Sequence, residues 1–382
     1  MNTPILCAIC TFGLESVLKR ELIDLSFQIH KVENGKVYYS GDGIHAIALS
    51  NLYLRTADRV FLKLGEFDCD HFDALYEHTL QIPFEEYIPP NGKFDVYKVN
   101  SVRSRLHSKS DCQAIVKKAA AQRLQKMHGV DVLSETGRAF PIALHLANDR
   151  AEIFLNTSGA GLNRRGYRKT GNEAPLKETL AAAMVLLSNY RPEKTLADVM
   201  CGSGTILIEA AMIMKNMAPG IGRDFISEGW SDAFAQSYAQ CRQIARDNVQ
   251  PTPLRILGSD IDYFSIKQAK ENARLAGVEG DIAFQKLDLK DFSSKKKCGV
   301  LISNAPYGMR TGGGQIHELY ENLGHIYRNL NEWSAFVLSG YEGFEKAFGQ
   351  RSNKNRKLYN GGIKTYLYSY YPKRAPRLDE HS

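Results

Sequence analysis

The chain has 382 residues, of which 43% are hydrophobic, 24% charged and 10% aromatic, with a formal net charge of +7. Its length exceeds what one hydrophobic core sustains and predicts two or three domains, while the composition excludes a disordered, collagenous or low-complexity chain. The modest basic excess permits a nucleic-acid partner without requiring one.

The N-terminal run MNTPILCAICTFGLESVLKREL passes straight into an amphipathic pattern, without a basic n-region, a long apolar h-region or a small-residue cleavage site. The longest apolar stretch, Leu180 to Leu187, falls far short of the roughly 20 residues that cross a bilayer. Seven scattered cysteines fit a reducing cytosol better than a disulfide framework. Cys7 and Cys10 have C-x-x-C spacing but no second pair to complete a zinc site, which predicts strand packing for both. A cytoplasmic protein with no membrane span and no metal is expected.

In chain order, Ile5 to Thr11 reads as a strand, Leu14 to Leu25 as a helix, and the runs around Ile29 and Val37 as strands joined by an Asn34-Gly35 hairpin turn. An amphipathic segment from Phe72 to Tyr87, a strand from Phe94 to Val99 and a helix beginning near Ser110 follow. In that helix Val116, Ala120, Leu124 and Met127 share a face, with Lys117, Lys118, Arg123 and Lys126 largely on the others. A solvated face alone accounts for such lysines. Arg103, Arg105, His107 and Lys109 just upstream extend them into a patch that an RNA backbone would meet.

The Gly-rich, basic link Ser158 to Lys169, which contains Arg164, Arg165 and Arg168, marks a domain boundary. Beyond it helices and strands alternate: Leu176 to Leu187, Thr195 to Val199, Ile206 to Met214, Arg255 to Ser259, Ile266 to Ala276, Ile282 to Gln285 and Val300 to Ser303. That alternation predicts an α/β, doubly wound, mostly parallel Rossmann-like sheet, and the late strands Phe336 to Ser339 and Thr365 to Tyr370 suit an antiparallel edge. The expected division is 1–60, 61–160 and 161–382.

Three strand ends carry the chemistry. Asp198-Val199-Met200-Cys201-Gly202-Ser203-Gly204-Thr205 lies between a strand and a helix, where glycine lets the backbone turn tightly beside a ligand and the helix N-terminus offers free N–H groups. It lacks the third glycine of a dinucleotide fingerprint and the G-K-[ST] ending of a phosphate loop. Asp260 ends the next strand, where a carboxylate accepts from ribose hydroxyls; the long separation from the glycine loop implies an insertion spanning Lys215 to Pro253. Asp288 follows a third strand and is placed to reach an adenine amino group. Finally Ser303-Asn304-Ala305-Pro306-Tyr307-Gly308 follows Val300-Leu301-Ile302. An aromatic amine is a poor nucleophile, and two acceptors aimed at its hydrogens, the Asn304 side-chain oxygen and the Ala305 carbonyl, would orient it toward a methyl donor. Tyr307 can stack on a flipped base. Read without a partner sequence, the same residues are also a Pro-containing turn.

At these residues the chain resembles the class I S-adenosylmethionine methyltransferases that carry an N-P-P-Y motif, and most closely the RlmL-type, THUMP-containing family of ribosomal RNA guanine-N2 methyltransferases. The resemblance includes Cys10-Thr11-Phe12-Gly13-Leu14-Glu15, Asn156-Thr157-Ser158-Gly159, Arg165-Gly166-Tyr167-Arg168, Ala174-Pro175-Leu176-Lys177 and Cys201 to Ala210. It implies ferredoxin-like and THUMP α+β units ahead of the catalytic domain, S-adenosylmethionine as cofactor, and 23S ribosomal RNA or a ribosome assembly intermediate as partner. By the same resemblance Pro175, Leu176, Asp198, Cys201, Gly202, Ser203, Gly204, Thr205, Asp260 and Asp288 would hold the cofactor. Asn304, Ala305, Pro306 and Tyr307 would hold the target base, and Arg103, Arg105, Lys109, Lys117, Lys118, Arg164, Arg165 and Arg168 would meet RNA. Val199 and Ala305 depart from the family pattern, which has proline at both places. Transfer RNA guanine, or a catalytically weak RNA-binding or ribosome-assembly role, are the alternatives.

Overall fold

The structure, a computed structural model, describes residues 4–168, 176–306 and 313–372. The chain opens with β1 (Ile5–Cys10), α1 (Glu15–Asp24), β2 (Gln28–Glu33), β3 (Lys36–Ser40), α2 (Gly43–Tyr53) and β4 (Ala57–Asp68). Next come α3 (Phe72–Leu80), β5 (Lys93–Val102), α4 (Lys109–His128), β6 (Ala139–Ala147) and β7 (Arg150–Asn156). The remainder comprises α5 (Glu178–Ser188), β8 (Leu196–Asp198), α6 (Thr205–Met214), α7 (Asp232–Asp247), β9 (Ile256–Asp260), α8 (Tyr263–Leu275) and β10 (Ile282–Lys286). It ends with β11 (Val300–Asn304), α9 (Gly313–Asn329), β12 (Ser334–Ser339), α10 (Phe344–Phe348), β13 (Lys354–Asn360) and β14 (Ile363–Tyr370).

Two compact units result. One contains the described residues up to Cys10, Lys19–Leu162 and Arg223–Ile244; the other contains Thr11–Leu18, Asn163–Gly222 and the described residues from Ala245 onward.

The first unit is built on one sheet of order β2-β3-β1-β4-β7-β6-β5. Strand β4 pairs antiparallel with β1 on one side and β7 on the other, and the boundary expected near residue 60 lies inside it. Period-two alternation puts Leu6, Ala8, Val60, Leu62, Ile142, Leu144, Ile153 and Leu155 on one buried face. In α4 Cys112, Val116, Ala119, Ala120 and Leu124 are buried, but Met127 is 48% exposed because it sits in the last turn before the left-handed Gly129 cap. The amphipathic segment from Phe72 is a helix only to Leu80: Pro83 cannot continue it, and a short 3-10 turn, Phe84–Glu86, follows.

The implied insertion has a definite destination. Residues Arg223–Ile244 belong to the first unit, where the Tyr238 hydroxyl lies 2.8 Å from Ser227 Oγ and accepts from Asn51 Nδ2 at 2.9 Å. Trp230 donates to the Ala139 carbonyl at 3.0 Å and stacks on Phe140 with ring centroids 5.0 Å apart. These anchors hold the excursion and pair the buried Ser227, Trp230 and Tyr238 polar groups.

The second unit has the sheet order β10-β9-β8-β11-β12-β14-β13. Strands β10, β9, β8, β11 and β12 pair in parallel, while β14 runs antiparallel to β12 and closes a hairpin with β13, the antiparallel edge read from the sequence. Strand order runs outward through β9 and β10 on one side of β8 and resumes with β11 on the other. The carboxyl ends of β8 and β11 therefore flank a topological switch point, where open α/β sheets form their ligand crevice.

Candidate active site

Strand β8 is buried along its whole length between β9 and β11, which fixes the position of Asp198 at its carboxyl end. The chain then turns through Gly202 and Gly204, both left-handed (φ +50° and +79°), into α6. Gly204 has a second constraint: a Cβ there would stand 3.1 Å from Ala269 Cβ and from the Phe284 ring. Helix α6 is buried from Thr205 to Met212, and each fully buried Leu or Ile contributes roughly 1.5–3 kcal/mol toward holding the loop in place.

Asp260 closes the loop from the neighbouring strand. Its carboxylate accepts from the Gly202 N–H at 2.8 Å and from the Asp262 N–H at 2.9 Å. Asn272 of α8 adds a bond from Nδ2 to the Ser203 carbonyl at 3.0 Å. Asp198 accepts from Ser303 Oγ at 2.6 Å and from the Met200 N–H at 3.2 Å, yet burial without a cationic partner pushes its carboxyl up from 3.8 to about 7, and nearby Asp260 adds to the rise.

A cavity of about 210 Å³ opens over these strand ends, lined by Asp198, Met200, Cys201, Gly202, Ser203, Thr205 and Ile206 together with Arg168, Leu176, Ser265, Gln268 and Asn304. Asn304 and the glycine loop thus face one cavity. The Asn304 Oδ1 atom is buried there and accepts no hydrogen bond from the described residues. Next to it, Ala305 is fully buried and donates its N–H to the Leu338 carbonyl at 3.2 Å, and the Pro306 carbonyl accepts from the Tyr320 hydroxyl. Val199 and Ala305 both sit in the apolar cluster that includes Leu289, Tyr320 and Leu323, so the two departures from proline are accommodated by packing.

Not every sequence-predicted residue reaches the cavity. Asp260, Asp288, Ala305 and Pro306 are outside its lining, and Asp288 accepts from the Lys290 N–H at 3.0 Å, capping a short 3-10 turn. Gly204 shapes the loop without lining the cavity. Pro175 and Tyr307 lie outside the described residues.

Two of the arginines expected to meet RNA are placed elsewhere. Arg165 is buried against Glu209, 3.3 Å away, with side chains 2% and 0% exposed, and Tyr167 donates to the same carboxylate at 3.1 Å. A guanidinium so enclosed supports the fold and offers no surface to a phosphate. Arg168 turns inward to the cavity, where Nη2 donates to Thr205 Oγ1 at 2.8 Å and to the Leu176 carbonyl at 3.2 Å and pairs with Glu178 Oε1 at 3.4 Å; its Nε is buried with no partner among the described residues. Sequence reasoning also missed Met200 and Ile206, which belong to the glycine loop and α6, and Ser265 and Gln268, which only the fold brings from α8 to the loop.

Of the remaining basic residues, Arg103, Lys109, Lys118 and Arg164 are exposed. Arg105 is held by Asp70 at 2.7 Å, and Lys117 by Glu135 at 3.2 Å and by the Phe94 carbonyl. Among the described residues no cluster of three or more His, Cys, Asp or Glu side chains could hold a metal, and no helix is long and apolar enough to cross a membrane.

The model of one protein family, described as RMKL-like, methyltransferase domain, matches residues 165–369, more than half of the chain. The chain belongs to this family. Ahead of that methyltransferase domain, an RlmL ferredoxin-like domain matches residues 5–61 and a THUMP domain residues 69–156. This RMKL-like methyltransferase is 42% identical over 381 residues, 99% of its length and 98% of the other, to the Bacillus subtilis (strain 168) protein named "Putative RNA methyltransferase YpsC". It is 34% identical over 336 residues to "Ribosomal RNA large subunit methyltransferase K/L" of Syntrophotalea carbinolica, matching 84% of its own length and 47% of that longer protein. Among solved structures, "SMU.472, a putative methyltransferase complexed with SAH" superposes with a TM-score of 0.92 at 40% identity, covering 98% of this chain and 100% of that one. "A predicted N6-adenine-specific DNA methylase from Listeria monocytogenes str. 4b F2365" superposes equally well, at 0.92 and 42% identity, covering 98% and 97%.

Proposed function

We propose that this protein is a cytoplasmic RNA methyltransferase that transfers a methyl group from S-adenosylmethionine to the exocyclic N2 of a guanine in 23S ribosomal RNA. One observation carries the reading: a buried amide oxygen with no partner, Asn304 Oδ1, faces the same cavity as the glycine loop.

The residues present fit the cofactor's amino-acid end. The cavity holds one acid lacking a cation, Asp198, and one guanidinium with a spare N–H, Arg168. An ammonium beside Asp198 would restore its ionised form, and a carboxylate beside Arg168 would take the unused Nε donor. Asp260 stands at the strand end suited to a ribose, and Asp288 one strand further on, toward the adenine. When bound, S-adenosylmethionine supplies an electrophilic methyl carbon on a sulfonium.

The remaining work falls to the chain. Asn304 Oδ1 and the Ala305 carbonyl would accept the two amine hydrogens, orient the nitrogen lone pair, and stabilise the positive charge that would grow on nitrogen as it takes the methyl group. The methylated amine then releases one proton to solvent. Apolar packing around Val199, Ala305 and Tyr320 keeps this end of the sheet rigid.

The names of the relatives favour RNA, and large-subunit ribosomal RNA in one case, as substrate. The THUMP match supports the same class, with the exposed Arg103, Lys109, Lys118 and Arg164 as contacts and Arg105 and Lys117 joining once released from their carboxylates. We read the chain as three parts, 1–60, 61–160 and 161–382, a division supported by the spans 5–61, 69–156 and 165–369 of the family matches. Purified protein, labelled cofactor and separate pools of ribosomal RNA, transfer RNA and DNA, followed by nucleoside mass spectrometry, test the reading. N2-methylguanosine from ribosomal RNA is expected. Label in N6-methyladenine of DNA, or in transfer RNA alone, refutes the substrate assignment.

A further inference from the structure

The sheet of the first unit has a second face. Residues alternating with the buried set, Cys7, Tyr38, Phe61, Ala143 and Phe154 together with Ile9, form an apolar cluster of their own. All of them lie on β1, β3, β4, β6 and β7, and no helical residue joins the cluster. Over this floor lies a cavity of about 590 Å³, within the range of small-molecule and nucleotide sites. Phe61 and Phe154 line it, with ring centroids 5.7 Å apart and planes inclined at 52°.

The rim is polar in a particular way. Asn34, Asn100 and Asn148 supply planar amides, each with donors and an acceptor side by side, and Asn100 Nδ2 lies 3.2 Å from His145 Nδ1. Such groups match the edge of a base, which also presents donors and acceptors in one plane. Two lysines complete the rim. Lys36 shares its charge with Glu152 at 2.8 Å and lies 5.7 Å from the Phe154 centroid, whereas Lys98 is exposed and forms no ion pair among the described residues. The acids here are already engaged: Glu152 by Lys36 and Lys63, and Glu33 by Lys31. The positive charge left over is that of Lys98.

We propose that this sheet-face cavity receives one unpaired nucleotide of the RNA substrate, its base against the Ile9, Phe61 and Phe154 floor and its phosphate at Lys98. The inference rests on the RNA-methyltransferase reading and adds a docking point formed by strands of both the ferredoxin-like and THUMP matches, remote in sequence from the methyl-transfer residues. Apolar floor, amide rim and unpaired cation together suit a base with its phosphate. A protein partner would bury on the order of 1,000 Å² of surface, far more than the mouth of such a cavity.

The test uses the full chain and a short single-stranded RNA carrying 4-thiouridine, compared with the same RNA in a duplex. Ultraviolet cross-linking and peptide mass spectrometry should place the adduct on β1, β4 or β7. Fluorescence anisotropy should show Lys98→Glu and Asn100→Ala each weakening single-strand binding about five- to tenfold, with Lys98→Glu lowering the salt slope by about one. Affinity for S-adenosylhomocysteine, titrated in the same preparations, should stay unchanged. Equal binding of single strand and duplex, adducts confined to other strands, or both variants binding like the wild type overturns the docking site while leaving the methyltransferase reading intact. Failure of the wild type to bind S-adenosylhomocysteine overturns that reading instead. A protein found on this face in place of any RNA adduct also overturns the proposal.

Discussion

Replacing Asp198 by Asn should stabilise the cofactor-free protein while crippling cofactor binding. The carboxyl is buried and pushed from 3.8 to about 7, which at pH 8 corresponds to on the order of 4 kcal/mol of unfavourable ionisation relative to the unfolded chain. Because the folded-state value is raised, stability is highest below about pH 4, falls as pH climbs through the interval up to about 7, and levels off above it. Asparagine has nearly the same shape, and its oxygen can still accept from Ser303 Oγ and the Met200 N–H. Its new amide N–H₂ replaces an oxygen with no donor of its own and forfeits about 2 kcal/mol. The net gain is therefore about 2 kcal/mol at pH 8 and about zero near pH 5.

Scanning calorimetry without cofactor should show this as a rise of roughly 4–8 °C in the transition of the second unit at pH 8, shrinking to nothing near pH 5. Saturating S-adenosylhomocysteine should reverse the ranking, since ligand at a hundred times its Kd adds about 2.7 kcal/mol to the wild type and little to a variant that no longer holds the ammonium. A variant less stable than the wild type at pH 8, or one whose advantage is the same at both pH values, refutes the argument that desolvation dominates at Asp198.

Asn304→Ala should lower methyl transfer by about 10²–10³-fold, the loss typical of one acceptor or donor aimed at developing charge, with S-adenosylhomocysteine affinity within twofold of wild type by calorimetric titration. Arg168→Met should raise the Kd of S-adenosylhomocysteine by about tenfold, the worth of one charge-assisted bond, yet leave the decarboxylated analogue unaffected; equal losses for both ligands would remove the carboxylate from the argument. Arg165→Met should destabilise by about 3–5 kcal/mol in urea titration because Glu209 is left buried and unpaired, and pairing it with Glu209→Leu should restore most of the loss.

The parallel sheet, its antiparallel edge and the glycine loop were legible because each rests on local grammar: apolar runs ending in acids, and glycines ahead of a helix. Helix α2 was not, since Ala46, Ile47, Ala48, Ser50, Asn51 and Leu52 are all buried and no polar stripe marks a period. The β6–β7 hairpin was passed over although Asn148 and Asp149 both adopt left-handed φ, a turn signal read too narrowly as Asn-Gly. Arg165 and Arg168 show a different limit. Sequence neighbours of the same charge looked like one patch, but the partner of Arg165, Glu209, is 44 positions away, and only the fold reveals that both arginines point inward.

That inward placement bears on what the cavity is suited to bind. Buried polar groups are normally paired, and each exception costs about 1–3 kcal/mol. Thr79, Tyr190 and Thr365 also bury hydroxyls without partners, but a hydroxyl can rotate toward whatever acceptor fluctuation provides. Arg168 Nε and Asn304 Oδ1 belong instead to planar groups, and the Arg168 guanidinium is held by Thr205, the Leu176 carbonyl and Glu178. Among the described residues, two unpaired polar atoms and one acid without a cationic partner therefore sit at one small cavity at the sheet's switch point, and the surrounding apolar core offsets their cost. A ligand carrying an ammonium, a carboxylate and a neighbouring amine would satisfy all three at once.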